Sequence, residues 1–231
     1  MTMTTTTPTP EPALRLAHRV ECTAAEGPGR RAALWLAGCT LRCPGCCNPE
    51  LFDPAAGALT PVADLLADLL AARARHRLDG VTLLGGEPLD QIGPLADLVT
   101  GLSGHGLGVI LFTGRTLAEA RALPGWPRLA AGLDAVVDGR FDATRPEPIP
   151  GGRRWIGSTN QRVHHLTPRY ADPALWRGPD HLEVHVTPAG DLTLHGHPDL
   201  ARRLRRHLPV AHSTATSDLN VAPPELQNPR R

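Results

Sequence analysis

The sequence has almost no net charge, few aromatic residues and no lysine. Its 231 residues include 24 basic side chains, all of them arginine, and 23 acidic ones, which leaves a formal net charge of +1. Without a strong basic excess, the chain is not predicted to bind nucleic acid or an anionic membrane surface through bulk electrostatics.

Long apolar runs are also missing. No stretch reaches the roughly 20 apolar residues of a membrane-spanning helix. The first ten residues are mostly threonine and proline, without the basic start and apolar stretch of a secretory signal peptide. These absences predict a cytoplasmic protein. The length predicts a single domain over residues 14–208, between disordered tails at 1–13 and 209–231.

Strand-like and helix-like stretches alternate through most of this domain. Predicted strands cover 32–37, 81–84, 108–112 and 134–137, and predicted helices cover 60–77, 94–102 and 117–123. This alternation is typical of parallel β/α units. In the first helix, Thr60 is predicted as the N-cap and Pro61 as the first helical residue. Near the end, His181–Thr187 and Asp191–His195 predict an antiparallel hairpin, and 199–208 a closing helix.

Each predicted parallel strand is followed by a polar or glycine-rich cluster. The clusters begin at Cys39, Gly85, Thr113 and Asp138. Because the carboxyl ends of parallel strands share one edge of a sheet, where ligands bind in such folds, we expect these clusters to form one site.

Four of the five cysteines lie within nine residues, and Cys22 stands alone upstream. An odd number of cysteines, four of them so closely spaced, is not typical of a disulfide-bonded fold. Cys39, Cys43 and Cys46 are spaced C-x3-C-x2-C, which predicts three ligands of a [4Fe–4S] cluster with one iron left open. A zinc knuckle and metal-free structural thiols are the alternatives. Cys47 is interpreted as a bystander.

The motifs together resemble those of the radical S-adenosylmethionine (SAM) family, whose C-x3-C-x2-C signature follows the first strand. The likeness is greatest to the small activating enzymes of glycyl-radical enzymes, particularly the anaerobic ribonucleotide-reductase activators. Besides the cysteines, the matching pieces are Gly27–Arg30, Gly85–Pro88, Val109–Gly114, Asp138–Phe141, Gly157–Arg162 and Gly196–Pro198. The sequence departs from the family at Gly45, where many members have an aromatic residue, and at Cys47, where tyrosine or histidine is expected.

The resemblance implies an α/β fold, a partial, open (β/α) barrel of the radical SAM type with a C-terminal β-hairpin. It implies a [4Fe–4S] cluster and SAM as cofactors, and reductive cleavage of SAM to a 5′-deoxyadenosyl radical that abstracts hydrogen from a partner glycine. A glycyl-radical enzyme and an electron donor such as flavodoxin or ferredoxin are the implied partners, with no nucleic acid and no membrane. No catalytic residue is predicted beyond the cluster ligands.

Seven residues are predicted to contact SAM, and Glu87 is predicted to accept a charge-assisted hydrogen bond from its ammonium group. They are Gly45, Cys46, Gly85, Gly86, Glu87, Thr113 and Asp138. Alternatives stay open: an ordinary turn at Gly85–Pro88, a helix N-cap at Thr113 and a turn residue at Asp138.

Other polar side chains fit more than one hypothesis. Arg140 is interpreted either as the partner of a carboxylate or as a solvated residue, and Asn160–Arg162 either as the mouth of the cofactor site or as partners of backbone groups. A second metal site is a hypothesis for six histidines: His164, His165, His181, His185, His195 and His197.

The rival functions are a small radical SAM enzyme that modifies a peptide or small molecule, and a non-catalytic metal-binding module.

Overall fold

The computed structural model of the chain describes residues 11–179, 181–186 and 192–206. The predicted tails therefore lie outside the described residues, except for 11–13. Within the described ranges, every helix is too short or too polar to cross a membrane.

A seven-stranded mixed sheet lies at the centre of the molecule. Its strands are β1 (Ala13–Thr23), β2 (Arg31–Leu36), β3 (Ala58–Pro61), β4 (Gly80–Gly85), β5 (Gly108–Phe112), β6 (Ala135–Asp138) and β7 (Arg162–His165). They are ordered β3-β1-β2-β4-β5-β6-β7. The four central strands, β2, β4, β5 and β6, are parallel. The remaining three extend the sheet at its two edges, where β1 pairs antiparallel with β2, β3 antiparallel with β1, and β7 antiparallel with β6.

Helices cover one face of the sheet. They are α1 (Val62–His76), α2 (Ile92–Gly104), α3 (Leu117–Arg121) and α4 (Trp126–Ala130), and α5 (Pro198–Arg205) lies near the end of the chain. Because side chains alternate along a strand, Leu34 and Leu36 of β2 enter the core beneath the helices. Ala33 and Trp35 face the other side of the sheet.

That other face is partly covered by later segments. Ile156, Tyr170 and Trp176 pack against β5 and β6. The hairpin of β8 (Leu182–Val186) and β9 (Leu192–Gly196) lies against β1 and β2. The result is an open sheet with helices outside and an inner face closed only in part. This confirms the predicted partial barrel and its C-terminal hairpin.

Two local predictions differ from the structure. Thr60 does not cap α1 because it pairs with Leu14 in the antiparallel β1–β3 ladder, and the helix begins at Val62 after Pro61. The predictions of Thr60 as the N-cap and of Pro61 as the first helical residue are therefore wrong, because Pro61 ends β3 and is itself the N-cap. The helix α4 was not predicted, since Pro127 and the preceding Gly125 are more typical of a turn.

The amino-terminal edge of the parallel strands is fixed by Arg31, whose side chain is fully buried. Its guanidinium donates to Thr82 Oγ1 at 2.7 Å, to Tyr170 Oη at 2.6 Å and to the Val81 carbonyl at 2.7 Å. Arg31 thereby fastens the segment around Tyr170 to the sheet and leaves the opposite edge open for the site.

The hairpin contacts the sheet through a cluster of imidazole rings. His195 of β9 stacks on His18 of β1 with 5.6 Å between ring centroids, and His185 of β8 meets His195 edge-on at 4.9 Å. The contact also includes Glu183, which accepts hydrogen bonds from Thr23 Oγ1 and from the Ala24 amide. Burial lowers the pKa of His18 and of His195 to about 4.

The buried imidazole rings of His18 and His195 predict that the protein loses stability in mild acid. Because the native pKa values lie below the unfolded value of about 6.5, the unfolded state binds more protons between pH 6.5 and 4. Stability should therefore fall as the pH decreases through that window, by about 2–4 kcal/mol for the pair. Thermal unfolding under nitrogen at pH 7.5, 6 and 5 measures the effect.

His195→Phe is the matched variant for this experiment, because it keeps an aromatic ring in the stack and removes one titrating group. Nδ1 of His195 has no hydrogen-bond partner among the described residues, so phenylalanine leaves no donor or acceptor unpaired at that atom. We expect a smaller loss of stability between pH 7.5 and 5 in the variant. An unchanged loss would assign the acid sensitivity to other groups.

Candidate functional site

The cysteine loop follows β2 directly. Gly38 has a φ of +92°, a conformation that glycine adopts without strain, and it turns the chain out of the strand. The return segment is hydrogen-bonded to the start of the loop, from the Gly38 amide to the Leu51 carbonyl at 2.9 Å. The loop is therefore anchored at both ends, and Cys39, Cys43 and Cys46 are free thiols that are partly exposed.

Hydrogen bonds reach two of the three sulfurs. Cys46 Sγ accepts a hydrogen bond from the Asn48 amide at 3.4 Å. The neighbouring Cys47 thiol is the largest cause that lowers the pKa of Cys46 to about 7. Burial raises the pKa of Cys43, while the Phe141 amide opposes that rise. Amide donors of this kind stabilise sulfur ligands as thiolates.

The donor set fits an iron–sulfur cluster. Cys39, Cys43 and Cys46 are three thiols in one loop, and cysteine thiolates are the ligands that hold [4Fe–4S] clusters. A structural zinc site commonly uses four ligands. Within the described parts of the chain, no group of three or more His, Cys, Asp or Glu side chains is placed to hold a metal ion.

The same finding bears on the histidines. All six histidines named for a second metal site lie in described segments, and none belongs to a group that could hold an ion. His185 and His195 instead pack ring against ring between the hairpin and the sheet. The structure therefore does not support a second metal site at these residues.

Gly85 and Gly86 are packed against backbone. A Cβ on Gly86 would lie 2.2 Å from the Gly38 carbonyl oxygen, and one on Gly85 would lie 2.4 Å from the Leu36 amide. Two hydrogen bonds join the same segments, from Gly86 N to Leu36 O and from Glu87 N to Gly38 O. These glycines thus allow the loop after β4 to contact the start of the cysteine loop.

Glu87 is completely buried, and its carboxylate is occupied by groups of the protein itself. Oε1 accepts from Thr113 Oγ1 at 2.7 Å and from the Leu89 amide at 2.9 Å, and Oε2 accepts from the Gly114 amide at 2.9 Å. Burial raises the pKa of Glu87, and these three hydrogen bonds oppose the rise. Glu87 therefore joins the loop after β4 to the loop after β5.

Thr113 and Asp138 also bind neighbouring loops. Thr113 Oγ1 accepts from the Arg115 amide while it donates to Glu87, so it does not cap a helix. Asp138 Oδ2 accepts from the Leu117 amide at 2.6 Å, in the first turn of α3, where Thr116 is the N-cap. Asp138 Oδ1 lies 3.1 Å from Nε2 of His164 on β7.

The four loops meet around Gly114. A Cβ there would lie 2.6 Å from Leu41 of the cysteine loop, 3.6 Å from Glu87 and 4.0 Å from Arg140 in the loop after β6. The structure thus brings together the clusters that follow β2, β4, β5 and β6. Gly45 belongs to the same assembly, because a Cβ on it would lie 2.9 Å from Ala143.

Sequence reasoning missed one ion pair in this assembly. Asp90 accepts from the amide and the hydroxyl of Thr40 at 2.9 and 3.1 Å, and from Arg115 at 2.7 Å. It thereby ties the residue next to Cys39 to the loop after β5. The position of Asp90, three residues beyond Glu87 at the same strand end, is the feature of the sequence from which this role could have been predicted.

The loop after β6 is held by the segment that precedes β7. Asn160 Nδ2 donates to the Arg140 carbonyl at 2.8 Å, and Gln161 Nε2 donates to the Gly139 carbonyl at 3.0 Å. Arg140 pairs with Glu119 at 3.1 Å. Among the described residues, Asn160 Oδ1 is a buried acceptor without a hydrogen-bond partner.

Comparison with known proteins agrees with this site. A family described as a 4Fe-4S single cluster domain matches residues 25–164. The anaerobic ribonucleoside-triphosphate reductase-activating protein of Vibrio cholerae is 32% identical over 148 residues, which cover 61% of this chain and 91% of that protein. The proteins of that name from Escherichia coli K12 and from bacteriophage T4 are 32% and 26% identical over 149 and 147 residues, covering 91% and 88% of their lengths.

The fold, the cysteine loop and these matches define a radical SAM enzyme that carries a single [4Fe–4S] cluster. The non-catalytic binding module is thereby excluded. More narrowly, the chain belongs to the family of the anaerobic ribonucleoside-triphosphate reductase-activating proteins. SAM is the second cofactor of this class of enzyme.

Proposed function

We propose that this enzyme activates an anaerobic ribonucleoside-triphosphate reductase by removing a hydrogen atom from a glycine of that protein. The observation that carries the proposal is the extent of the match, because relatives named for this activity align over about nine tenths of their own length. The convergence of four strand-end loops at one edge supports it, since the match includes every one of those loops.

The three thiols Cys39, Cys43 and Cys46 would each hold one iron and leave the fourth open. With both groups bound, the reduced cluster and SAM would supply the radical chemistry for hydrogen abstraction. The protein's own part is to hold the loops rigidly, through Glu87 and Asp90, and to limit access of water. Asn160 Oδ1 is the acceptor we assign to SAM at the side of the site near Gly139.

An electron must reach the cluster from outside, and we propose a flavodoxin or ferredoxin as the donor. Arg42 is exposed within the cysteine loop, and its guanidinium lies over the ring of Phe52 with 5.6 Å to the centroid. A positive charge beside the cluster suits the docking of a protein with an acidic surface. Salt should therefore slow the reduction of the cluster by such a donor.

Loss of any one cluster ligand is expected to abolish SAM cleavage. After anaerobic reconstitution with iron and sulfide and reduction by dithionite, the wild-type enzyme should release 5′-deoxyadenosine from SAM. Cys39→Ala, Cys43→Ala and Cys46→Ala should each reduce that rate by about a thousandfold or more, because an incomplete cluster removes the reactive centre. Cys22→Ala is the matched control, since this thiol packs against the helix layer and should leave the rate unchanged.

The partner is tested in the same reaction. Addition of the anaerobic reductase from the same organism should produce a glycyl radical signal in the electron paramagnetic resonance spectrum. Release of 5′-deoxyadenosine without that radical would favour the rival function, modification of a peptide or small molecule. Full cleavage by the three ligand variants would overturn the assignment of the cluster itself.

A further inference from the structure

The hairpin of β8 and β9 turns a polar face towards the sheet. Glu183 pairs with His195 and His185 with Thr193, so these four side chains lie on one side of the hairpin. That side meets β1, where the ring of His195 stacks on His18. The hairpin is therefore attached to the sheet through titratable groups, and their charge decides how firmly it is held.

Three imidazole rings, the histidine stack, form the centre of this attachment. The ring of His195 lies 5.6 Å from that of His18 and nearly parallel to it, and it meets the ring of His185 edge-on at 4.9 Å. On the sheet side, the same ring lies 6.0 Å from the indole of Trp35. Two positive charges at these separations, away from water, would repel each other strongly.

The surroundings of His195 suit a neutral ring. The residue is only 2% exposed, and its Nδ1 atom has no hydrogen-bond partner among the described residues. A protonated imidazole carries an N–H donor on both nitrogens. Protonation would therefore leave a buried, charged donor without an acceptor, a cost that the ring avoids by moving into water.

An open cleft of about 340 Å³ beside the stack offers that water. It extends from the hairpin to the end of α1, and the titratable or charged groups that line it outside the stack are Arg19, Glu21, Cys22 and His76. Arg19 is paired with Asp68 of α1, and Glu21 accepts from Arg75 and lies 3.4 Å from His76. Burial raises the pKa of the Cys22 thiol, which stays neutral. These groups supply no free carboxylate to the stack.

One carboxylate does face the stack from the hairpin itself. Oε2 of Glu183 lies 3.2 Å from Nε2 of His185, so a proton on His185 is accommodated where the ring stands. A second proton, on His195 or on His18, would meet that charge at close range. The second protonation is therefore the one that the closed arrangement resists.

The other end of the attachment does not respond to mild acid. Glu183 accepts from Thr23 Oγ1 at 2.5 Å and from the Ala24 amide at 2.7 Å, and these hydrogen bonds outweigh burial and lower its pKa. Glu26 accepts from the Gly196 amide at 3.1 Å. Burial raises the pKa of Glu26 to about 8, so this carboxyl group is already neutral at pH 7. Neither contact is lost between pH 7 and 5.

We propose that the hairpin is a proton-released flap, which leaves the inner face of β1 and β2 when the histidine stack is protonated and stays attached at Glu183 and Glu26. Opening would uncover Trp35, near the end of β2 that leads into the cysteine loop. The flap thereby makes access to the inner face of the sheet depend on pH. It does not rest on the proposed function, because no cofactor or partner takes part in it.

The direction follows from the two buried rings. Burial lowers the pKa of His18 and of His195 to about 4, whereas a ring released into water titrates near 6.5. The open form therefore binds more protons between these values and gains population as the pH falls. From pH 7.5 to pH 5, the open form should gain roughly thirtyfold for each ring that is released.

Hydrogen exchange of the full-length enzyme, followed under nitrogen by mass spectrometry at pH 7.5 and pH 5, tests the flap. After correction for the intrinsic exchange rates, amides of β8 and β9 should lose at least roughly thirtyfold of their protection at pH 5. Amides of β4 and β5 should keep theirs. A parallel loss in those central strands would assign the acid effect to the whole fold and would overturn the proposal.

His195→Phe is the decisive variant, since it keeps a ring in the stack and cannot be protonated. Its acid-dependent loss of protection in β8 and β9 should be smaller by roughly thirtyfold, and a loss equal to that of the wild type would also overturn the proposal. His165→Phe is the matched control. This ring packs against Trp176 at 5.9 Å outside the stack, so the variant should behave as the wild type.

His18→Phe repeats the test from the side of the sheet. It is needed if the hairpin of His195→Phe is unprotected already at pH 7.5, since that protein could show no further release. A reduced acid effect in His18→Phe would support the flap, and an acid effect as large as that of the wild type would exclude it.

Discussion

Replacing Gly86 with alanine is expected to destabilise the protein by about 2–4 kcal/mol and to reduce incorporation of the cluster. The added Cβ would lie 2.2 Å from the Gly38 carbonyl oxygen and 3.0 Å from the Leu51 carbonyl oxygen, and both are backbone atoms that no rotamer change can move. The cysteine loop must then shift, because Gly38 immediately precedes Cys39. Chemical unfolding and iron content after reconstitution measure the two effects.

Gly93→Ala is the control for that substitution. Gly93 lies in α2, and a Cβ added there has no neighbouring atom within 4 Å. Alanine should be neutral or should stabilise the helix by up to about 1 kcal/mol, because glycine is a poor helix former. A Gly86→Ala protein with the stability and iron content of Gly93→Ala would show that the loop after β4 does not support the cysteine loop.

The parallel strands were the part of the fold that the sequence predicted best. The prediction for β5 has the same bounds as the structure, Gly108–Phe112, since a buried parallel strand is a short, continuous apolar run between turns. The strand β1 lacks this signal. It mixes buried and exposed side chains, and its ladder with β2 is interrupted by two register shifts, so a regular period does not appear. Its partner β3 has only four residues.

The candidate site, like the fold, could be predicted only in part from the sequence. The positions of the clusters could be predicted, because parallel strands must end at one edge, and the structure brings Cys39, Glu87, Thr113 and Asp138 to that edge. What each side chain binds could not be predicted, because that depends on close contacts between loops far apart in sequence. The hydrogen bonds of Glu87 and Asp90 to the loop after β5 span more than 20 residues.

Glu87 has two interpretations, a contact with SAM and a link between the loops after β4 and β5. The variant Glu87→Gln distinguishes them. The amide of glutamine has one oxygen, whereas the buried carboxylate accepts from Thr113, Leu89 and Gly114. At least one donor must lose its acceptor and meet an NH2 group instead. We expect a loss of about 2–3 kcal/mol in the free energy of unfolding, the cost of leaving a buried polar group unpaired beside a lost charge-assisted hydrogen bond.

Thr113→Val removes one end of the same interaction and leaves the carboxylate in place. If Glu87 acts by joining the loops, Thr113→Val should also destabilise the protein, by about 1 kcal/mol, and the double variant should lose less than the sum of the two. A direct contact with SAM predicts the opposite pattern. Glu87→Gln would then weaken SAM binding to the reconstituted enzyme at unchanged stability, and Thr113→Val would act independently of it. Because all three hydrogen bonds of Glu87 stay within the protein, we expect the coupled loss of stability.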